Sequence, residues 1–240
     1  MNCPFNAVIT GASSGIGKAI ALAIASVGGS VCLIGRNKER LNQIAGTCRG
    51  SARQVLVFST DLGADRGIED LAHCVEKDFE RADTLIHCAG AHAVGDFEAT
   101  PLGKLDNLYR INVRMPYALT QALLPRLKSQ RGQIVFVNSS QGLQARAKSS
   151  AYAATQHALK AIADSLRQEI NADGVRVLSI YPGRTATPRM EALFKMEGRP
   201  YRPDLLLQPE DVARSVVNAL LLPRTAEVTN IEIRPLAKSY

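Results

Sequence analysis

Hydrophobic and polar positions along the 240-residue chain alternate between two rhythms. Short apolar runs rich in β-branched residues recur at Asn6–Thr10, Val31–Ile34, Val55–Phe58, Thr84–His87, Ile134–Val137, Val175–Ile180 and Asn230–Arg234. Longer segments with apolar residues at helical spacing separate them, as from Ala19 to Val27 and from Ile68 to Phe79. Strands that are apolar at nearly every position are buried on both faces, the condition of a parallel sheet covered by helices. The alternation therefore predicts an α/β fold, a doubly wound parallel sheet of six or seven strands with helices on both faces.

No linker, repeat or low-complexity tract interrupts this pattern, so residues 1–240 read as a single domain. One stretch, residues 183–207, is irregular and rich in Pro, Arg and Met. A connection of that length inside a compact domain is usually functional, and it is expected to be a substrate lid. A last helix is expected to start near Pro209-Glu210-Asp211, with proline and acids in its first turn.

Composition narrows the classes. Hydrophobic residues make up 46% of the chain, enough for one large core, yet no apolar run approaches the roughly 20 residues of a membrane span. The first residues lack the basic and apolar regions of a secretory leader. The five cysteines are scattered, without a Cys-x-x-Cys pair, which suits reduced thiols better than a disulfide framework or a zinc site. The formal charge of +7 is spread without like-charge runs or interleaved aromatics. The expectation is a cytoplasmic protein with no metal, nucleic-acid or membrane partner.

Chemistry is concentrated in a few places. Thr10-Gly11-Ala12-Ser13-Ser14-Gly15-Ile16-Gly17 follows the first strand and opens the first helix. A glycine-rich turn there lets the backbone approach a pyrophosphate, whose charge meets the helix N-terminus. Cys88-Ala89-Gly90 follows the fourth strand, Asn112 lies on the long helix beyond it, and Asn138-Ser139-Ser140-Gln141-Gly142 ends the fifth strand. Tyr152 opens the next helix, and Tyr181-Pro182-Gly183 with Thr187 follows the sixth strand. In this order the motifs resemble those of the short-chain dehydrogenase/reductase family along the whole chain, which implies a single-domain Rossmann fold.

The resemblance implies NADP(H) or NAD(H) as cofactor and a ketone or alcohol as small-molecule substrate. It places cofactor contacts at Gly11, Ser13, Ser14, Gly15, Ile16 and Gly17. Further contacts fall at Asp61, Leu62, Cys88, Ala89, Gly90, Pro182, Gly183, Thr185 and Thr187. The second strand ends in Gly35 where NAD-selective members have an acid, and Arg36 follows. A guanidinium pairs with a 2′-phosphate that a carboxylate would repel, so NADP(H) is expected. The position before the second glycine is Ser14, without the basic residue often found there.

By the same resemblance Tyr152 is the proton donor, Ser139 bonds the carbonyl oxygen and Asn112 keeps a water in the proton relay. Tyr152 and the residue four positions on also hold the nicotinamide ribose. The family has a lysine at that second position, which lowers the tyrosine pKa; here it is Gln156. Losing a depression of two or three pKa units costs roughly 3–4 kcal/mol in forming tyrosinate near neutral pH, and alcohol oxidation suffers most. Lys160 is a further turn along the helix.

Three explanations of Gln156 stand: a working enzyme without the lysine, a catalytically silent NADP(H)-binding sensor or scaffold, or a substitution made to trap a complex. A lyase or isomerase using the same cleft is a separate alternative. The lid cations Arg184, Arg189, Lys195, Arg199 and Arg202 suit an anionic substrate or, more simply, a solvated face, and His92 is a loop histidine near the expected substrate. Family members pair through the helices bearing Asn112 and Tyr152, which implies a homodimer or homotetramer.

Overall fold

A computed structural model describes residues 5–79 and 81–237. Seven parallel strands form one sheet in the order β3-β2-β1-β4-β5-β6-β7. They are β1 Asn6–Thr10, β2 Ser30–Gly35, β3 Val55–Ser59, β4 Thr84–His87, β5 Gln133–Val137, β6 Arg176–Pro182 and β7 Asn230–Ile233. The connecting helices are α1 Gly15–Ser26, α2 Lys38–Cys48, α3 Asp65–Asp78, α4 Leu102–Tyr109, α5 Met115–Ser129, α6 Ser150–Ile170, α7 Pro188–Met196 and α8 Pro209–Leu220. The doubly wound parallel sheet expected from the apolar runs is the one observed.

Strand residues alternate between two cores, as the period of a strand requires. Ala7, Ile9, Val135 and Ile180 face the layer of α1, α2 and α8. Val8, Ile134, Phe136 and Val177 face α3, α5 and α6. Both layers exclude water from the central strands, whose ends remain for chemistry. Strand order reverses between β1 and β4, which opens a crevice at their carboxyl ends.

Two segments differ from expectation. Residues 183–207 are not irregular throughout, because α7 forms within them. Its sequence carries every helix signal: Thr187 accepts a bond from Met190 N, Pro188 stands at the first position and Lys195 lies in the last turn. Gly198 follows at φ +65°. The Pro, Arg and Met content masks a capped helix.

Asn112 lies in a π-turn, Arg110–Arg114, joining α4 to α5, and not in a regular helix. Pro116 has no N–H to bond the carbonyl four residues back, and the Met115 N–H bonds Arg110 O, five back. Among the described residues no helix is long and apolar enough to cross a membrane. No group of three or more His, Cys, Asp or Glu there is placed to hold a metal.

Candidate active site

A cleft of about 960 Å³ runs along the carboxyl ends of the strands. Its near end is built by the glycine turn. Gly11 has φ +68°, and a Cβ there would lie 2.7 Å from Ala89 N. Thr10 Oγ1 accepts from the N–H groups of Cys88 and Ala89 at 3.0 and 3.1 Å, fixing the turn to the loop after β4. Gly17 does not line the cleft. It lies beneath the turn, where a Cβ would meet Gly11 O at 2.4 Å. Ser14 begins α1 in extended conformation with no side-chain cap bond, and the first turn has no acid. Ser13, Ser14, Gly15 and Ile16 line the cleft there.

Arg36 is exposed at the mouth beyond β2, beside Gly35, whose hypothetical Cβ would sit 3.4 Å from Ser13 Oγ. Asp61 accepts from Gly63 N at 3.0 Å, while Leu62 is buried beside it. Pro182, Gly183, Thr185 and Thr187 form the opposite wall. The Thr185 hydroxyl bonds Gly183 O at 3.0 Å, and the Thr187 hydroxyl is taken by the cap of α7. Thr187 also closes on the glycine turn, its methyl 3.0 Å from where a Gly15 Cβ would stand.

The far end holds Ser139, Tyr152 and Gln156. Asn138 organises it: its Oδ1 accepts from Ser139 N at 2.7 Å and its Nδ2 donates to Gln156 O at 3.1 Å. Gly142 allows that approach, since a Cβ would meet Asn138 Oδ1 at 2.5 Å. Tyr152 is 8% exposed, and its phenol is close enough to the Ser139 hydroxyl to be influenced by it. Burial pushes its phenol above the usual range, and the Ser139 hydroxyl and then the Arg189 guanidinium pull it partly back.

Gln156 is buried in α6, and its side-chain amide has no partner among the described residues. Lys160 does not line the cleft. It bonds Asp164 at 2.6 Å, which holds its ammonium above the usual lysine range.

Asn112 is a clamp. Its Oδ1 accepts from Ala91 N at 2.7 Å, and its Nδ2 donates to Ala91 O at 2.9 Å and to Thr155 Oγ1 at 3.0 Å. The side chain thus fixes the loop after β4 to α6. Cys88, at the start of that loop, has its thiol pushed up to about 12 by burial, against the pull of Arg189 and the Gly17 N–H.

Residues 6–198 match the family described as short chain dehydrogenase. The chain belongs to that family. An uncharacterized oxidoreductase of Staphylococcus epidermidis is 34% identical over 231 residues, 96% of each chain. An alcohol dehydrogenase of the archaeon Thermococcus sibiricus, solved with 5-hydroxy-NADP, superposes with a TM-score of 0.88 at 25% identity, covering 98% of this chain and 97% of that one. L-sorbose reductase of Gluconobacter frateurii, solved with NADPH and L-sorbose, gives a TM-score of 0.86 at 26% identity over 95% and 94% of the chains. A short chain dehydrogenase of Shigella flexneri, complexed with NADP, gives 0.85 at 31% identity over 94% and 95%.

In this member of the family, two residues that line the cleft carry more than sequence reasoning assigned them. The His92 ring lies 4.3 Å from the Tyr152 ring, centroid to centroid. Burial, then Arg189, depresses its pKa to about 4, so it is neutral near pH 7. Arg189, one of several lid cations in sequence, donates to Gly90 O at 2.5 Å and turns into the cleft. The only sequence signal for Arg189 was its place in a helical first turn, where acids are favoured.

Proposed function

We propose that this protein is an NADPH-dependent oxidoreductase that reduces a ketone or other carbonyl to an alcohol by hydride transfer. The observation that carries the reading is the buried Tyr152 phenol, which lines with Ser139 one end of a cleft whose other end is the glycine turn. The residues present suit a dinucleotide. The start of α1 has neither side-chain cap nor acid to occupy its N–H groups. Gln156 offers a buried amide without an internal partner. Arg36 beside Gly35 favours a 2′-phosphate over a bare ribose. The three solved relatives named above carry NADP, NADPH or a derivative, which supports the same choice.

When bound, the nicotinamide supplies the hydride. Tyr152 gives its proton to the carbonyl oxygen as that oxygen gains charge, and Ser139 donates a hydrogen bond to the same atom. Gln156 bonds the nicotinamide ribose through its amide. His92 and the α6 packing keep water from the phenol. Asn112 acts on the relay by holding Ala91. A raised phenol pKa keeps Tyr152 protonated near pH 7, the state that reduction uses and oxidation does not. Residues 183–207 form the substrate lid. Exposed Leu102, Leu105, Tyr109 and Tyr117 on α4 and α5 support a homodimer or homotetramer built through these helices.

The test is NADPH consumption with a panel of ketones and β-keto esters, run beside Tyr152→Phe and with NADPH binding measured by fluorescence. Turnover that disappears in Tyr152→Phe supports the reading. NADPH binding without turnover by any substrate favours a silent binder, the reading to which uncharged Gln156 also lends itself. Absence of binding overturns both.

A further inference from the structure

Beyond the mouth at Arg36 and Asp61, the charged residues lining the cleft are Arg146, Lys148, Arg184, Arg189 and Arg199, against Asp96 and Glu197. Two of these cations have partners of their own. Lys148 pairs with Asp96 at 3.3 Å, and Arg189 donates to Gly90 O. Arg184 and Arg199 differ, because both depend on one acid. Glu197 Oε2 lies 3.5 Å from Arg184 Nη2 and 3.0 Å from Arg199 Nη1, and the three side chains are only 21–25% exposed. Two guanidinia and one carboxylate leave a net positive charge in a site mostly shielded from water, where charges are ordinarily paired.

The surrounding contacts hold the two guanidinia together without cancelling that charge. Phe194, buried in α7, has the guanidinium carbons of Arg184 and Arg199 at 5.0 and 4.9 Å from its ring centroid. Tyr201 meets the same ring edge-on at 5.8 Å. The backbone is pinned as well: Arg184 O accepts from Leu207 N at 3.1 Å, and Arg199 N donates to Phe194 O at 2.9 Å. Stacking on an aromatic face orients a planar guanidinium and offsets part of its desolvation. Yet Arg184 Nη1 and Arg199 Nη2 are closed off from solvent with no hydrogen-bond partner among the described residues. A buried N–H left unbonded is costly, and more so on a charged group. Glu197 shows which anion the two forks accept, and a single carboxylate leaves the pair short of one more.

We propose that the substrate is an oxo acid, whose carboxylate binds Arg184 and Arg199 while its ketone lies at Tyr152 and Ser139. The inference rests on the reading of the protein as a carbonyl reductase and names the class of carbonyl. Glu197, a carboxylate already held by both arginines, favours that anion over a phosphate. It also competes with the substrate for the pair.

The experiment compares 2-oxo, 3-oxo, 4-oxo and longer oxo acids with their methyl esters in NADPH-dependent turnover. The best acid exceeds its own ester in kcat/KM by about 10- to 100-fold, the usual effect of a charge-assisted hydrogen bond. Arg184→Met or Arg199→Met cuts that preference by a similar factor, and Arg199→Lys retains part of it. Glu197→Gln lowers KM for the acid, because the arginines lose their internal anion. If the three charges only clamp the lid, Glu197→Gln raises KM for acid and ester alike, and that result overturns the proposal. So does an acid no better than its ester. Calorimetry of the same acids and esters with the protein and NADP+ reads the preference without turnover. Selective binding of an acid without turnover overturns the reductase reading and leaves the arginine site standing.

Discussion

The ring of His92 tilts by 59° over that of Tyr152, so each aromatic group shields the other from water. The same burial that holds the phenol protonated keeps the imidazole neutral, with its pKa depressed to about 4. A second histidine, His87, is stacked on Phe136 and hydrogen-bonded to Thr120, and burial lowers its pKa to about 3.

Both histidines are more acidic folded than unfolded. Between the folded values and the ordinary histidine value near ~6.5, the unfolded chain therefore binds more protons. Their contribution is fully present above that ordinary value and is lost as the pH falls. Each histidine removes ~2 kcal/mol of stability by pH 5. Asp83, whose carboxyl is held above its usual range by burial, acts with the opposite sign in the carboxylate range. Urea unfolding at pH 7 and pH 5 reads the loss, and combining His87→Gln with His92→Gln flattens it. A wild-type midpoint equal at both values would sink the idea.

Arg36→Ala weakens binding of NADPH and leaves that of NADH nearly unchanged. A charge-assisted contact contributes roughly 1.5–3 kcal/mol, so KM for NADPH rises about 10- to 100-fold. Equal losses for both cofactors would place the 2′-phosphate elsewhere.

Gly11→Ala combines two penalties. An alanine at φ +68° is strained, and its Cβ would lie 2.7 Å from Ala89 N. The strain alone costs about 1–3 kcal/mol. The variant is expected to melt earlier and to lose most of its thermal stabilisation by NADPH. A melting curve with and without NADPH checks both.

Asn112→Ala leaves the N–H and C=O of Ala91 without their clamp and removes the bond to Thr155. A destabilisation of about 2–4 kcal/mol follows from unsatisfied buried groups. Denaturant unfolding reports it. If kcat falls while stability is unchanged, Asn112 serves the proton relay directly and not by holding the loop.

The sheet was legible in the sequence because its central strands are apolar on both faces, and the boundaries of β1 and β4 follow directly from the runs Asn6–Thr10 and Thr84–His87. Ser139, Tyr152 and Gln156 were picked out in the sequence by the family resemblance, and the structure lines one cleft with all three. Three features were not. The π-turn at Asn112 depends on a proline four residues ahead, a backbone effect that apolar periodicity does not register. The helix in residues 183–207 is short, and its caps were obscured by its composition. The approach of Arg189 to Gly90 joins residues 99 positions apart and has no local signature.

The glycine turn reads as a local motif, yet it is completed by partners far along the chain. Thr10 bonds residues 78 and 79 positions later, and Gly11 rests against the backbone of Ala89. The first strand is flanked by β4 as well as β2, and Asn6 bonds Asp83, 77 positions away. During synthesis the turn leaves the ribosome before β4, so its final shape waits until residues 83–89 have emerged and β4 has docked. The turn is thus made before the partners that give it its native shape.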